Sequence, residues 1–159
     1  MPVTATEQLQ NLLGSTVFLS TFMSWLLAQI IKTLIDVFRH RVGPSRDLVA
    51  SLLWKTGGMP SSHSSMVTSL ALSCGFVFGF HSSAFLISFF YGGLVIRDAM
   101  GVRLAAGRQA QQLNRLGREL EERSGIPFQP VKEINGHTPA EVAIGALVGC
   151  SMAVAFHFL

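Results

Sequence analysis

From Leu12 to about Ile31 the chain carries no charged side chain and is broken only by Ser, Thr, Gly and Gln. At ~1.5 Å per residue a helix of that length spans a hydrocarbon core of ~30 Å. Three further apolar blocks follow, from Met66 to Phe80, from Ala84 to Ile96 and from about Ala140 to Leu159. With 49% of 159 residues apolar and only 13% charged, a water-soluble globule is excluded. The expected fold is all-α: an integral membrane helical bundle of about four transmembrane helices, forming a single domain over 1–159. A helical extension of the third span and short interfacial helices complete it.

The connections fix the topology. All twelve Lys and Arg lie between Lys32 and Lys132, in the first and third connections or at their edges, and none lies in the short turn His81-Ser82-Ser83. The two basic loops therefore share one side, which the charge bias assigns to the cytoplasm, with both termini outside. The net charge of +3 is explained by those loops and calls for no nucleic-acid partner. No basic residue precedes Lys32, so a cleaved signal is not expected. In the first loop, Val42-Gly43-Pro44-Ser45 breaks the helix, Asp47 to Trp54 is expected to form a short interfacial helix, and Trp54 and Lys55 are placed as anchors. Residues 99–123 continue the third span outside the membrane, because Leu113, Leu116 and Leu120 recur at helical spacing among charged residues. Ser124-Gly125-Ile126-Pro127 ends that helix, and 128–135 reads as a connecting loop. Cys74 and Cys150 read as buried thiols. Gly145 and Gly149 have the spacing that lets helices approach closely, which allows a homodimer.

Chemistry enters at Gly57-Gly58-Met59-Pro60-Ser61-Ser62-His63-Ser64-Ser65, which opens the second block. Glycines free the backbone, Pro60 fixes its own φ, and the serines cap a helix whose first amides are unpaired. Those amides and the helix dipole suit an anion, and His63 adds a proton donor or acceptor near neutral pH. A serine-rich helix cap with a histidine beside it accounts for this segment equally well. The fourth block opens with Gly136-His137-Thr138-Pro139-Ala140-Glu141. Here Thr138, Pro139 and Glu141 suit a capping box, while Glu141 is also spaced to orient His137.

Topology places Lys32, Arg39, His63, Asp98, Arg103, His137 and Glu141 at one membrane face. Two histidines in an anion pocket suit phosphoryl transfer through a covalent intermediate, with cations and amides holding the equatorial oxygens. No cofactor or metal is required, and no close ligand spacing such as His-Glu-x-x-His is present.

These segments, with Asp98-Ala99-Met100-Gly101-Val102-Arg103, Ala106-Gly107, Gln109-Ala110 and Leu113-Asn114, resemble the divergent branch of the type 2 phosphatidic acid phosphatase superfamily over roughly residues 20–155. The parent pattern is Lys and Arg-Pro, then Pro-Ser-Gly-His, then Ser-Arg with a spaced His and Asp. The resemblance implies that His137 is the nucleophile, His63 the general acid and base, and Glu141 the orienter of the nucleophile. It also implies a phosphate clamp, here Lys32 and Arg39 at the family's spacing, beside Ser61 and Ser62. Several positions depart from the pattern: His40 follows Arg39, Ser62 replaces Gly, Glu141 replaces Asp, and Val131 stands where the usual Arg precedes the last histidine. Either Arg103 supplies the guanidinium, with Lys132 a weaker substitute, or the chemistry has been lost.

The leading expectation is an integral membrane phosphatase, in the inner or plasma membrane if bacterial, with its site on the cytoplasmic side. Its substrate would be a lipid phosphate or diphosphate of the phosphatidate, phosphatidylglycerophosphate or isoprenyl phosphate class. The alternative is a non-catalytic membrane protein that binds or moves an anionic lipid. Asp98, next to Arg97 and five before Arg103, reads either as an interhelical ion-pair partner or as a site residue, the site being favoured because a carboxylate at the interface is costly without a role. His81 and His157 fall near the opposite face.

Overall fold

A computed structural model describes residues 4–38, 58–133 and 136–159. Arg39, the break at 42–45, the helix expected over 47–54 and the anchors Trp54 and Lys55 lie outside the described residues, as does Gly57. The elements among the described residues are α1 (Ala5–Leu13), α2 (Thr16–Phe38), α3 (Ser62–Phe78), α4 (Ser83–Met100), α5 (Val102–Ser124) and α6 (Pro139–Phe158).

The apolar block that begins at Leu12 is divided at Gly14-Ser15. Ahead of the division, α1 is closed by a capping box in which Thr4 N donates to Glu7 at 2.8 Å and Thr4 Oγ1 accepts from Glu7 N at 3.3 Å. It buries no residue and exposes Leu9, Leu12 and Leu13, as an amphipathic helix lying in a membrane interface does.

The bundle is organised around α3, which packs against α2, α4 and α6. Hydroxyl pairs set the α2 register: Ser20 meets Ser73 at 2.7 Å and Ser24 meets Ser65 at 2.6 Å, so the two helices are antiparallel. Against α6 the packing is backbone to backbone. A Cβ at Gly145 would run into the carbonyl oxygen of Ser61, and one at Gly149 into that of Ser65, so α3 and α6 run parallel in close contact. Gly145 and Gly149 are thus used in packing within one chain. On the remaining side Gly92 of α4 faces Val67, where a Cβ would sit 3.5 Å from Val67 Cβ.

The polarity is the reverse of a water-soluble protein. The interior holds Ala28, Val67, Ala71, Cys74, Ala99, Val142 and Ala153 together with Ser20, Ser24, Ser65, Ser69 and Ser73. The large apolar side chains face outward, Ile87 at 70% exposure and Phe90 and Leu94 at 67%. Such a surface is stable with lipid as its solvent, where small residues and interhelical hydrogen bonds hold helices together. Among the described residues three helical stretches qualify as spans by length and hydropathy: α2, α4 continuing into α5, and α6. The fourth expected span, α3, has only 17 residues and falls short. Its serines lower its hydropathy, and a helix enclosed by three neighbours needs no apolar face for lipid.

Beyond Gly101, α5 leaves the bundle and contacts only α4 among the helices. The segment expected as a plain loop returns along it. Asn114 Nδ2 donates to Val131 O at 2.9 Å, Val131 N donates to Asn114 Oδ1 at 2.8 Å, and the Phe128 ring covers Gly117. Gly125, at φ +65°, makes the left-handed turn that starts the return.

Candidate functional site

Backbone bonds gather the helix ends at one end of the bundle. Ser61 N donates to Glu141 O at 3.0 Å, which ties the start of α3 to the first turn of α6. His137 N donates to Ala99 O at 3.0 Å, which ties the lead-in of α6 to the end of α4. Ser61 caps α3, its Oγ accepting from Ser64 N at 3.3 Å and from Ser64 Oγ at 2.9 Å. Two helix N-termini therefore converge with their positive dipole ends on the same place.

The candidate side chains lie at the same end of the bundle. His137 is 6% exposed, and its Nδ1 faces Glu141 Oε2 at 3.3 Å. The same oxygen accepts from Thr138 N at 2.9 Å, and Thr138 Oγ1 accepts from Glu141 N at 3.4 Å. A single carboxylate thus closes the capping box and fixes the imidazole. The tautomer with its proton on Nδ1 donates to Glu141 and leaves the Nε2 lone pair free. Lys32 of α2 is buried at 2% exposure, with its stem near Gly58, where a Cβ would lie 3.9 Å from Lys32 Cγ. Gly58 has φ +85°, a conformation that favours glycine and starts the turn into α3. His63, in the first turn of α3, is exposed.

Electrostatics show how these groups relate. His137, Arg103 and Lys32 each act on His63, and Lys32, Arg103 and Glu141 each act on His137. The His137 imidazole is held below the ordinary histidine range, first by burial and further by the positive charges of Lys32 and Arg103. Glu141 pulls the other way through its hydrogen bond and its charge. The expected result is a neutral imidazole at neutral pH beside two cations, a combination suited to attack on a phosphate.

The structure therefore brings His63, His137, Glu141, Lys32 and Arg103 together. Asp98 joins through Arg103, whose Nε donates to Asp98 Oδ2 at 2.6 Å in a half-exposed ion pair. Ser61 and Ser62 stand at the start of α3, both buried, with the Ser61 hydroxyl turned to capping. Arg39 is outside the described residues. Val131, in the position of the family's arginine, has its peptide group engaged with Asn114, so that position anchors the return segment on α5. Gln29 is a residue the sequence reading missed. It is 4% exposed, one turn before Lys32, with Oε1 unpartnered among the described residues. An amide inside an otherwise apolar block, three residues before the buried lysine, was the available signal. His157 lies at the far end, stacked on Phe76 at 4.6 Å. Among the described residues no three His, Cys, Asp or Glu side chains are gathered as a metal ion needs.

The profile of the family described as the Divergent PAP2 family matches residues 13–152. The uncharacterized membrane protein YuiD of Bacillus subtilis (strain 168) is 35% identical over 162 residues, covering 94% of this chain and 99% of YuiD. No solved structure matches.

Proposed function

The chain belongs to the divergent PAP2 family, and from that premise we propose that this integral membrane protein is a phosphatase acting on a lipid phosphate or diphosphate at the cytoplasmic interface. The observation that carries the reading is the buried His137 oriented by Glu141, with Lys32 and Arg103 acting on both imidazoles.

In the first step His137 Nε2 attacks phosphorus in line with the ester oxygen. The N–P bond forms as the P–O bond breaks, and His63, whose pKa burial and the Arg103, His137 and Lys32 charges hold down until the substrate phosphate offsets them, gives its proton to the departing lipid alkoxide. In the second step neutral His63 takes a proton from water, whose oxygen attacks phosphorus, and inorganic phosphate leaves as His137 regains its lone pair. Lys32, Arg103 and the α3 amides hold the equatorial oxygens throughout, and Asp98 steers the Arg103 guanidinium. The two-loop distribution of Lys and Arg supports the cytoplasmic orientation.

The test is release of inorganic phosphate by purified protein from phosphatidate, phosphatidylglycerophosphate and isoprenyl phosphates side by side. Turnover of any of them supports the reading. Tight binding of these lipids without turnover favours the second reading, a lipid-binding or lipid-moving protein, which the apolar side chain of Val131 in place of a clamp arginine supports.

A pH profile gives a finer test. Because His137 is held below its ordinary value, its neutral fraction is full at neutral pH and falls only as the pH drops through the lowered value. Glu141 raises that value, so Glu141→Gln is expected to move the acid limb of kcat/KM to lower pH while lowering its plateau. An acid limb that moves to higher pH would contradict the orientation assigned to Glu141.

A further inference from the structure

Helix α5 carries an apolar stripe, broken once by Gln109, that no described residue covers. Val102, Ala106, Gln109, Leu113, Leu116 and Leu120 follow one another in alternate steps of four and three, the spacing that holds side chains on one side of a helix. Val102 is 70% exposed and Leu116 54%, and Leu113 and Leu120 are exposed with them. The return segment covers a neighbouring strip, where Asn114 bonds Val131 and Gly117 lies under Phe128. Arg108, Arg115 and Arg118 take the far side.

The start of the helix shows where the stripe points. Helical geometry lapses at Gly101, at φ −98° and ψ −90°, and a hollow at that junction is lined by Leu94, Arg97 and Asp98 of α4, by Gly101, and by Val102 and Ala105 of α5. The surface of one straight helix is convex, so a hollow walled by successive turns of the same chain marks the inner side of a bend. Leu94, at 67% exposure, belongs to the lipid-facing surface of α4, and Val102 opens the stripe. The bend therefore turns the stripe toward the lipid. The other side of α5 meets the bundle: a Cβ at Gly136 would strike the backbone of Leu104, which stands ~200° around the helix from Val102. Among the described helices α5 contacts only α4, as a helix leaning outward does.

We propose that α5 lies on the membrane surface at the site's end of the bundle, with Leu113, Leu116 and Leu120 set into the boundary between headgroups and acyl chains and Arg108, Arg115 and Arg118 toward water. Continuity with the lipid-facing surface of α4 argues for lipid as the occupant, since a second copy pairing through the same stripe needs α5 to stand clear of the bilayer. Arg97 in the hollow and Arg123 three residues beyond Leu120 bracket the stripe with cations suited to headgroup phosphates. This placement of α5 holds whether or not the protein turns over a lipid phosphate.

Leu116→Trp sets an indole on the stripe and Gln111→Trp sets one on the opposite side, with Leu120→Trp repeating the first should Leu116→Trp fold poorly. The full chain is placed in nanodiscs of phosphatidylcholine and phosphatidylglycerol, with and without bromine on the upper part of the acyl chains. Wild-type emission is subtracted to remove Trp25 and Trp54. Emission from Leu116→Trp is expected to fall about twofold or more in brominated lipid, because the apolar face of an interfacial helix sits ~5–10 Å into that boundary. Gln111→Trp is expected to keep its emission there and to lose it to iodide in the water. An indole at position 116 that iodide reaches and bromine does not would overturn the proposal by placing the stripe in water. One that neither quencher reaches would overturn it in favour of a second copy covering the stripe. Bromine quenching of both positions alike would overturn the assigned face.

Discussion

Replacing His137 with alanine is expected to abolish phosphate release from every lipid phosphate that the wild-type protein turns over, by on the order of 10⁴-fold or more, as removal of a nucleophile that works as part of a unit does. His137 is buried, its Nδ1 is directed to Glu141, and Lys32 and Arg103 act on it, so its loss removes the imidazole that a carboxylate orients. His63→Ala is expected to lose about 10²–10⁴-fold in phosphate release, the range for one acid–base group, yet to keep a single-turnover burst of leaving-group release with aryl phosphates, whose leaving group needs no proton. His137→Ala is expected to show no burst with any substrate. Rapid measurement of the released aryl group separates the two roles, and full activity in His137→Ala would reject its assignment.

The second large effect is on stability. In Gly145→Leu the new Cβ would occupy the place of the Ser61 carbonyl oxygen, so α6 must move away from α3. Overpacking a well-filled interior costs about 1–3 kcal/mol and occasionally more. Here the neighbour is backbone that cannot change rotamer, which places the cost at or above the upper end. The displacement also strains the bond from Ser61 N to Glu141 O, so phosphate release should fall together with thermal stability in detergent. Gly93→Ala, facing open space, serves as the control and should melt within experimental error of wild type. Equal melting temperatures for Gly145→Leu and wild type would contradict the close parallel packing of α3 and α6.

How far these features could be read from the sequence depends on the range of the interaction that produces each. The membrane helices were legible because lipid forces every backbone group to pair within its own segment, which leaves long apolar runs as a plain signal. The starts of α3 and α6 were legible because Ser61, Thr138 and Pro139 are chosen by local capping chemistry. Hydropathy alone could not find the division at Gly14-Ser15, since both sides of it are apolar. Nor could it show that α3 is enclosed by its neighbours, a property of α2, α4 and α6 as much as of α3. The return segment was read as a loop because its anchor, Asn114 to Val131, joins residues 17 apart with no periodic pattern between them.

The site shows the same division. The i, i+4 spacing of His137 and Glu141 was visible in the chain, and so was the capping box that competes for the same carboxylate; that one oxygen, Oε2, meets both partners required coordinates. Arg103 was placed at the common membrane face by topology and read as a substitute for the arginine missing at Val131. Its action on both histidines depends on how α4 ends and α5 begins. Gln29 escaped notice because its significance comes from burial beside Lys32 and not from any motif.

The most direct test of a shared phosphate between the two imidazoles is capture of the covalent intermediate. His63→Ala, mixed with an aryl phosphate whose leaving group departs without a proton, should complete the first step and stall before hydrolysis. Mass spectrometry of the quenched protein is then predicted to find an acid-labile, base-stable phosphoryl group on the peptide that carries His137. Turnover with no label on that peptide, or a label on any other residue, would contradict the account.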